Sequence, residues 1–351
     1  MAYFDNAATT YPKPESVYGF MDEFYRKSGA NAGRGNYRIA QSAKQLIDET
    51  RTLIKEILNC PAKQVVFTPT VTIALNIILQ GIIKMGVKNV YISPFEHNAV
   101  TRVLHHFEKQ GELKVYELFV DRNLTYDLER IRYQFEESKP DMVVVSHASN
   151  VIGLIAPIEE IFDLAKKHGA YTVTDMSQTA VLINCNTGLS TFDFAVFAGH
   201  KTLYGPTGIS GFVMNPGIAL PPVIFGGTGV DSANQDMPDG LPERYEMGTL
   251  NIAGIAGLNA ALRWNKDVGQ NSIAEKETSN RNKLLAILKD YSWIKVVGNE
   301  ANRDYVGIVS CVIVGINSES VEQILSGQGI AVRTGLQCEP LAPKFIKTYP
   351  A

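Results

Sequence analysis

Short runs of β-branched and aromatic residues alternate with helical patterns along much of the chain. The runs at 65–68, 90–93, 113–119, 142–146, 171–174 and 192–197 predict strands. Between them, apolar residues recur at helical spacing over 71–84, 97–109, 127–136 and 158–168, which predicts four helices. Strand and helix taken in turn make a mainly parallel sheet covered on both faces. The run Met142-Val143-Val144-Val145-Ser146-His147 is apolar without alternation, as a doubly covered central strand requires.

Upstream of this rhythm, the Pro-punctuated residues 5–14 read as an irregular lead-in, with a helix starting near Glu15. Residues 29–36 form a loop of small residues, and 39–58 a long helix with an apolar stripe of Leu46, Ile47, Leu53, Ile54 and Ile57. Downstream, a polar loop follows Gly226-Gly227-Thr228-Gly229 as far as Pro242, and a long helical stretch starts near Ile252. The pattern turns strongly polar over 265–282, where a domain boundary is expected. Strands at 307–314 and 330–333 around a helix at 319–326 predict a smaller α+β domain.

Composition narrows the class. The 351 residues are enough for a large core and two domains, and 45% hydrophobic with 20% charged residues is ordinary for a globular protein. A net charge of -3 argues against a nucleic-acid or anionic-membrane partner. No apolar run reaches the roughly 18–20 residues that cross a bilayer, and the N-terminus has no secretory pattern, so a cytoplasmic location is expected. Cys60, Cys185, Cys311 and Cys338 form no C-x-x-C pair and have no histidine in metal spacing, which predicts no metal site and leaves free thiols.

In a parallel sheet, ligands sit at the carboxyl ends of the strands. The polar residues found there share a chemical theme. Thr68-Pro69-Thr70-Val71-Thr72 opens a helix, which makes either an anion site or a plain N-cap. Glu96-His97 brings an imidazole that stacks on an aromatic ligand, moves protons, or only begins the next helix. Ser149-Asn150 offers an amide or is a turn. A carboxylate at the end of a buried strand, Asp175, needs a cationic partner or serves as a helix cap. Lys201, directly after Gly199-His200 and before Gly205, Pro206, Gly208 and Gly211, is either a solvated loop lysine or a desolvated amine able to form a Schiff base. Anion site, stacking ring, carboxylate and lysine together describe the needs of pyridoxal 5′-phosphate.

The segments Tyr3-Phe4-Asp5-Asn6-Ala7-Ala8-Thr9-Thr10, Glu96-His97, Ser149-Asn150, Asp175-x-x-Gln178, Gly199-His200-Lys201, Gly226-Gly227-Thr228 and Val332-Arg333-Thr334-Gly335-x-x-Cys338 resemble the class V aminotransferase family, and most of all its cysteine desulfurases. The resemblance implies the α/β fold type I of PLP-dependent transferases. A large PLP-binding domain would span 15–264, and a small α+β domain would combine 1–14 with 265–351. It implies that Lys201 holds the cofactor covalently and shuttles the Cα proton, and that Asp175 pairs with the ring nitrogen. Gln178 and Asn150 would sit by the ring hydroxyl, and His97 would stack on the ring. Thr70, Val71, Thr72 and His200 would hold the phosphate, with Thr228 reaching the partner's phosphate in a homodimer. Arg333 would clamp the substrate carboxylate, with Asn150 and Ala8 beside it.

The resemblance further implies that L-cysteine or a related amino acid is the substrate, that Cys338 takes its sulfur as a persulfide with His97 accepting the thiol proton, and that a sulfur-acceptor protein follows. A selenocysteine lyase or other PLP β-lyase, with Cys338 dispensable, is an alternative. A catalytically impaired scaffold is another. Ala198, Ile73 and Gln337 depart from the family's usual hydroxyl, acidic and histidine residues, so weaker phosphate binding is expected from Ala198. The family pattern also extends several tens of residues past the position of Ala351, so an incomplete small domain with an exposed edge is expected.

Overall fold

The computed structural model describes residues 1–32, 35–230 and 233–348. Gly33 and Arg34 in the first loop, Asp231 and Ser232 in the second, and 349–351 at the chain end lie outside the described residues. The chain starts with a two-residue strand, β1 (Ala2–Tyr3), and the helices α1 (Glu15–Ser28) and α2 (Arg38–Ile57). Then come β2 (Gln64–Thr68), α3 (Val71–Lys84), β3 (Asn89–Ile92), α4 (Asn98–Lys109), β4 (Lys114–Glu117), α5 (Leu128–Glu137), β5 (Met142–Ser146), α6 (Ile158–Lys166), β6 (Tyr171–Asp175), β7 (Phe194–Ala198) and β8 (Ser210–Met214). The seven strands β2 to β8 form one sheet in the order β2-β8-β7-β6-β5-β3-β4. Only β8 runs against its neighbours; the pairs β3–β4, β3–β5, β5–β6 and β6–β7 are parallel.

Every residue of β5, β7 and β8 is buried, because helices cover both faces of the sheet. One core layer joins Leu46, Ile54, Ile131, Phe162 and Leu258 to the sheet, and the other joins Leu75, Ile78, Ile82, Val100 and Leu104 to its opposite face. Continuous apolar strands and one-sided helices are what such a sandwich needs, since each apolar side chain removed from water contributes about 1.5–3 kcal/mol.

The remainder consists of α7 (Ile252–Val268), α8 (Gln270–Leu288), β9 (Ile294–Val297), β10 (Ser310–Ile313), α9 (Ser318–Gly327), β11 (Ile330–Ala331) and α10 (Ala342–Phe345). Strands β9 and β10 pair antiparallel, and β1 pairs parallel with β11, which ties the N-terminal segment to the far end of the chain. Helix α7 continues through the boundary expected after residue 264 and stops at Gly269, whose φ of 85° suits glycine. Asn265 opens the polar stretch of the sequence but is buried, its side-chain amide donating to the Leu203 carbonyl at 3.0 Å. The polar stretch beyond it is the helix α8 and not a linker. Its single buried residue, Ile273, leaves almost no apolar stripe by which to recognise it.

Candidate active site

The strand ends of the large sheet and the turns after them surround a cavity of about 330 Å³. Parallel pairing makes this possible, because β5, β6 and β7 all point their carboxyl ends the same way, with Asp175 in register beside Ser146 and Val196.

At one wall is the first turn of α3. Thr70 caps it, Oγ1 accepting from the Ile73 N–H at 3.2 Å, while Thr70, Val71 and Thr72 also line the cavity. The N-cap reading of Thr70 holds, and its place on the cavity wall is compatible with the anion-site reading as well. His200 lines the same cavity, and its buried Nδ1 finds no hydrogen-bond partner among the described residues. Burial first, then the charges of Lys201 and Lys13, depress its pKa to about 4, so the ring is neutral. Ala198 contributes only a methyl group to this wall.

Asp175 is 8% exposed and accepts from the Ser177 N–H (2.9 Å) and hydroxyl (2.5 Å), both on Oδ1, which leaves Oδ2 to the cavity. Gln178 lines the cavity while its amide donates to the Ala7 carbonyl at 2.9 Å, and Ala8 lies beside it on the N-terminal segment.

Lys201 stands three residues after β7 on a turn closed by Gly205 N–H to the Gly199 carbonyl at 2.7 Å. Gly199 is required there: a Cβ would lie 2.3 Å from the Ile209 carbonyl oxygen. The N-terminal segment clamps the turn from outside. Thr10 donates its N–H to the His200 carbonyl (3.1 Å) and its hydroxyl to that of Lys201 (2.8 Å), and Lys13 Nζ reaches the His200 carbonyl at 2.9 Å. Among the described residues, no group accepts a hydrogen bond from the Lys201 amine. Burial lowers its pKa, opposed by the Asp175 carboxylate and reinforced by Arg333.

His97 caps α4, Nδ1 accepting from the Ala99 N–H at 3.0 Å. That bond fixes the neutral tautomer with hydrogen on Nε2. The ring also lines the cavity. Burial depresses its pKa despite the opposing Asp175 charge.

Arg333 and Cys338 come from the far end of the chain and line the same cavity. Arg333 is held on the Asp5 carboxylate through Nε (3.2 Å) and Nη2 (3.3 Å), an arrangement that leaves Nη1 free of it. Cys338 is exposed and has φ 62°, next to Gln337 with φ 53°. The Gln337 carbonyl accepts from Asn150 Nδ2 at 2.7 Å, so the Asn150 amide is tied to the cysteine turn as well as lining the cavity. Thr228 is the one expected site residue that does not line this cavity. Sequence reasoning missed the Asp5 side chain, Lys13 and Glu339 as site-building groups. The close approach of Asp5 to Arg333 has no local signature, and Glu339 lies in no periodic pattern.

Two buried carboxyl groups lie behind this wall. Burial raises Glu96 to about 7 and Glu339 to about 8, each against opposing hydrogen bonds. The buried rings of His147 and His200 are instead depressed to about 4. Raised carboxyl pKa values mean that the folded state holds extra protons between the ordinary 4.5 and about 8, so those groups lose stability as pH rises through that range. The histidines lose stability as pH falls from 6.5 towards 4. The two effects oppose each other below 6.5. Above it the carboxyl groups act against lysines whose pKa burial lowers, Lys201 and, at about 8, Lys13 and Lys63. Urea midpoints are expected to fall between pH 6.5 and 8; a rising midpoint there would contradict the burial of neutral carboxyl groups.

Among the described residues, no helix is long and apolar enough to cross a membrane, and no cluster of three or more His, Cys, Asp or Glu is placed to hold a metal ion. The family model for class-V aminotransferases matches residues 2–348. A probable cysteine desulfurase of Pyrococcus abyssi is 30% identical over 98% of this chain and 86% of its own length. A cysteine desulfurase of Shigella flexneri is 32% identical over 96% of this chain and 84% of its own. The apo structure of a cysteine desulfurase from Thermococcus onnurineus NA1 superposes with a TM-score of 0.89 at 28% identity, covering 99% of this chain and 87% of that one. With a matching family model over nearly its whole length and the same architecture, the chain belongs to the class-V aminotransferase family.

Proposed function

We propose that the protein is a pyridoxal 5′-phosphate enzyme that removes sulfur from L-cysteine, leaving L-alanine and a persulfide on Cys338. The observation that carries this reading is the meeting of Lys201, Asp175, Arg333 and Cys338 around one cavity, although they come from distant parts of the chain. The named relatives, cysteine desulfurases over nearly the same length, support it.

The residues fit the cofactor. The first turn of α3 and the partnerless Nδ1 of His200 suit its phosphate, Oδ2 of Asp175 suits its cationic ring nitrogen, and the Lys201 amine suits its aldehyde. When bound, the cofactor supplies an electron sink for bonds broken at the substrate's Cα. The chain supplies the rest. Arg333 binds the substrate carboxylate with Nη1, which Asp5 leaves free, and Lys201, its pKa lowered by burial, moves the Cα proton. His97 covers the ring position and donates through Nε2. Cys338 attacks the substrate sulfur: the Cβ–S bond breaks, an S–S bond forms, and protons return to the carbon skeleton to give alanine. No external oxidant or reductant is needed, because the sulfur passes from one thiol to the other as the carbon is reduced.

The same reading extends to the surroundings of the site. The division at 15–264 against 1–14 with 265–351 is best placed a few residues later, at Gly269, where α7 ends. Thr228 sits on a partly exposed loop beside Phe225, which is 69% exposed, and this suits a homodimer in which it serves the other subunit's phosphate. A thiol-bearing acceptor protein takes the persulfide onward, and a reducing compartment such as the cytoplasm keeps Cys338 free.

The deciding experiment adds L-cysteine to the cofactor-loaded protein and assays alanine and protein-bound persulfide together. Equal amounts of both in the first turnover are expected. If neither forms while cofactor remains bound, the desulfurase reading is wrong.

A further inference from the structure

We infer that Glu339 is a positioning residue for sulfur transfer, locking the turn that carries Cys338 onto the Ser149–Asn150 turn at the end of β5. This deepens the desulfurase reading and rests on it for its activity measurements.

The two neighbours Cys338 and Glu339 face opposite ways. Cys338 is exposed at the cavity, whereas Glu339 is 1% exposed. Glu339 accepts from the Asn150 N–H on Oε1 at 2.6 Å and from the Ser149 hydroxyl on Oε2 at 2.8 Å. Both donors are obligatory. A backbone N–H can only donate, and the Ser149 oxygen already accepts from the N–H groups of Val151 and Ile152 at 3.1 Å each, so its hydrogen must go to Glu339. A carboxyl group meets two donors with two oxygens, since even when protonated its hydroxyl oxygen keeps a lone pair to accept with. An amide cannot, since one of its two ends is an NH₂ that would face a donor.

The turn needs such a lock. Gln337 and Cys338 both have positive φ, 53° and 62°, which is strained for a side-chain-bearing residue and persists only where the surroundings over-determine it. The other restraints include single bonds from Asn150 Nδ2 to the Gln337 carbonyl, from the Asn98 N–H to the Cys338 carbonyl at 2.8 Å, and within the turn from the Glu339 N–H to the Leu336 carbonyl at 3.1 Å. Glu339 adds two short bonds in a buried setting, where leaving a donor unmet is costly. Asn150 thus receives the cysteine turn through both its backbone and its side chain, so the cavity wall and the nucleophile move as one body.

Two variants test this, Glu339→Gln and Glu339→Ala, each read three ways. Exchange of the Cα proton of L-alanine into deuterated water reports the part of the site that does not use Cys338, and is expected to fall far less than turnover. Turnover of L-cysteine is expected to fall about 100-fold in kcat, the cost of misplacing a reacting group by an ångström. Alkylation of Cys338 by iodoacetamide, followed at the peptide level to separate it from Cys311, is expected to quicken in both variants. A Gln variant that matches the parent in turnover and alkylation overturns the assignment, as does proton exchange that falls in step with turnover. Where a variant does not fold, hydrogen exchange in the parent decides: slow exchange at the Asn98 and Asn150 amides is expected, and fast exchange there overturns the lock. Alkylation and hydrogen exchange need no activity, so they stand even if L-cysteine proves not to be the substrate.

Discussion

Replacing Lys201 by alanine removes essentially all activity. The expected loss is about 10⁴-fold, the upper range for removing a positioned proton-transfer group. Among the described residues nothing replaces it: the other lysine near the turn, Lys13, is committed to the carbonyls of Thr10 and His200, and His97 spends Nδ1 on the Ala99 N–H. The lowered pKa of Lys201 matters as much as its position, because burial makes its amine easier to deprotonate than that of an exposed lysine. Two measurements separate this from misfolding. The variant is expected to keep the parent's urea midpoint while losing exchange of the Cα proton of L-alanine, and a small added amine is expected to restore part of that exchange. Retained exchange without any added amine would mean that Lys201 is a structural lysine, as its Gly/Pro surroundings alone suggest.

The second large effect is expected at Cys338. Changing it to alanine is predicted to lower alanine formation from L-cysteine by about three orders of magnitude, as loss of a nucleophile does. Proton exchange with L-alanine should persist, because Lys201, Asp175 and Arg333 are untouched. This contrast separates the two enzyme readings. In a β-lyase the thiol is dispensable, so a variant that still releases sulfide from L-cysteine at the parental rate would assign the chain to that chemistry. A protein that binds no cofactor in either form would instead favour a scaffold. The other three cysteines are poor substitutes, since Cys60 and Cys185 are buried with raised pKa values and Cys311 does not line the cavity.

Much of the large domain was legible from the pattern of residues. The apolar run of β5 and the three- and four-residue spacing of α3 are local signals, and both elements fall where periodicity puts them. The small domain was less legible for a physical reason. The helix α8 buries only Ile273, and β9 and β10 have no fully buried residue, so neither helical nor strand alternation is strong. The polar face of α8 therefore read as a boundary, and the buried amide of Asn265 added to that impression.

For the site, the side chains that line the cavity were legible in the sequence, because motif residues at strand ends are set by a few neighbours: a strand, a glycine turn and a helix start. Lys201, Asp175, His97 and the α3 turn could be placed at one sheet edge by that reasoning. Folding set their placement relative to one another. It put Asp5 on Arg333 across nearly the whole length of the chain and Thr10 on the Lys201 carbonyl. It also buried Glu339 under Ser149 and Asn150, so that Cys338 is held by the residue that follows it. Such contacts join segments with no shared periodicity. Their energies depend on distance, burial and donor direction, which exist only once the chain has folded.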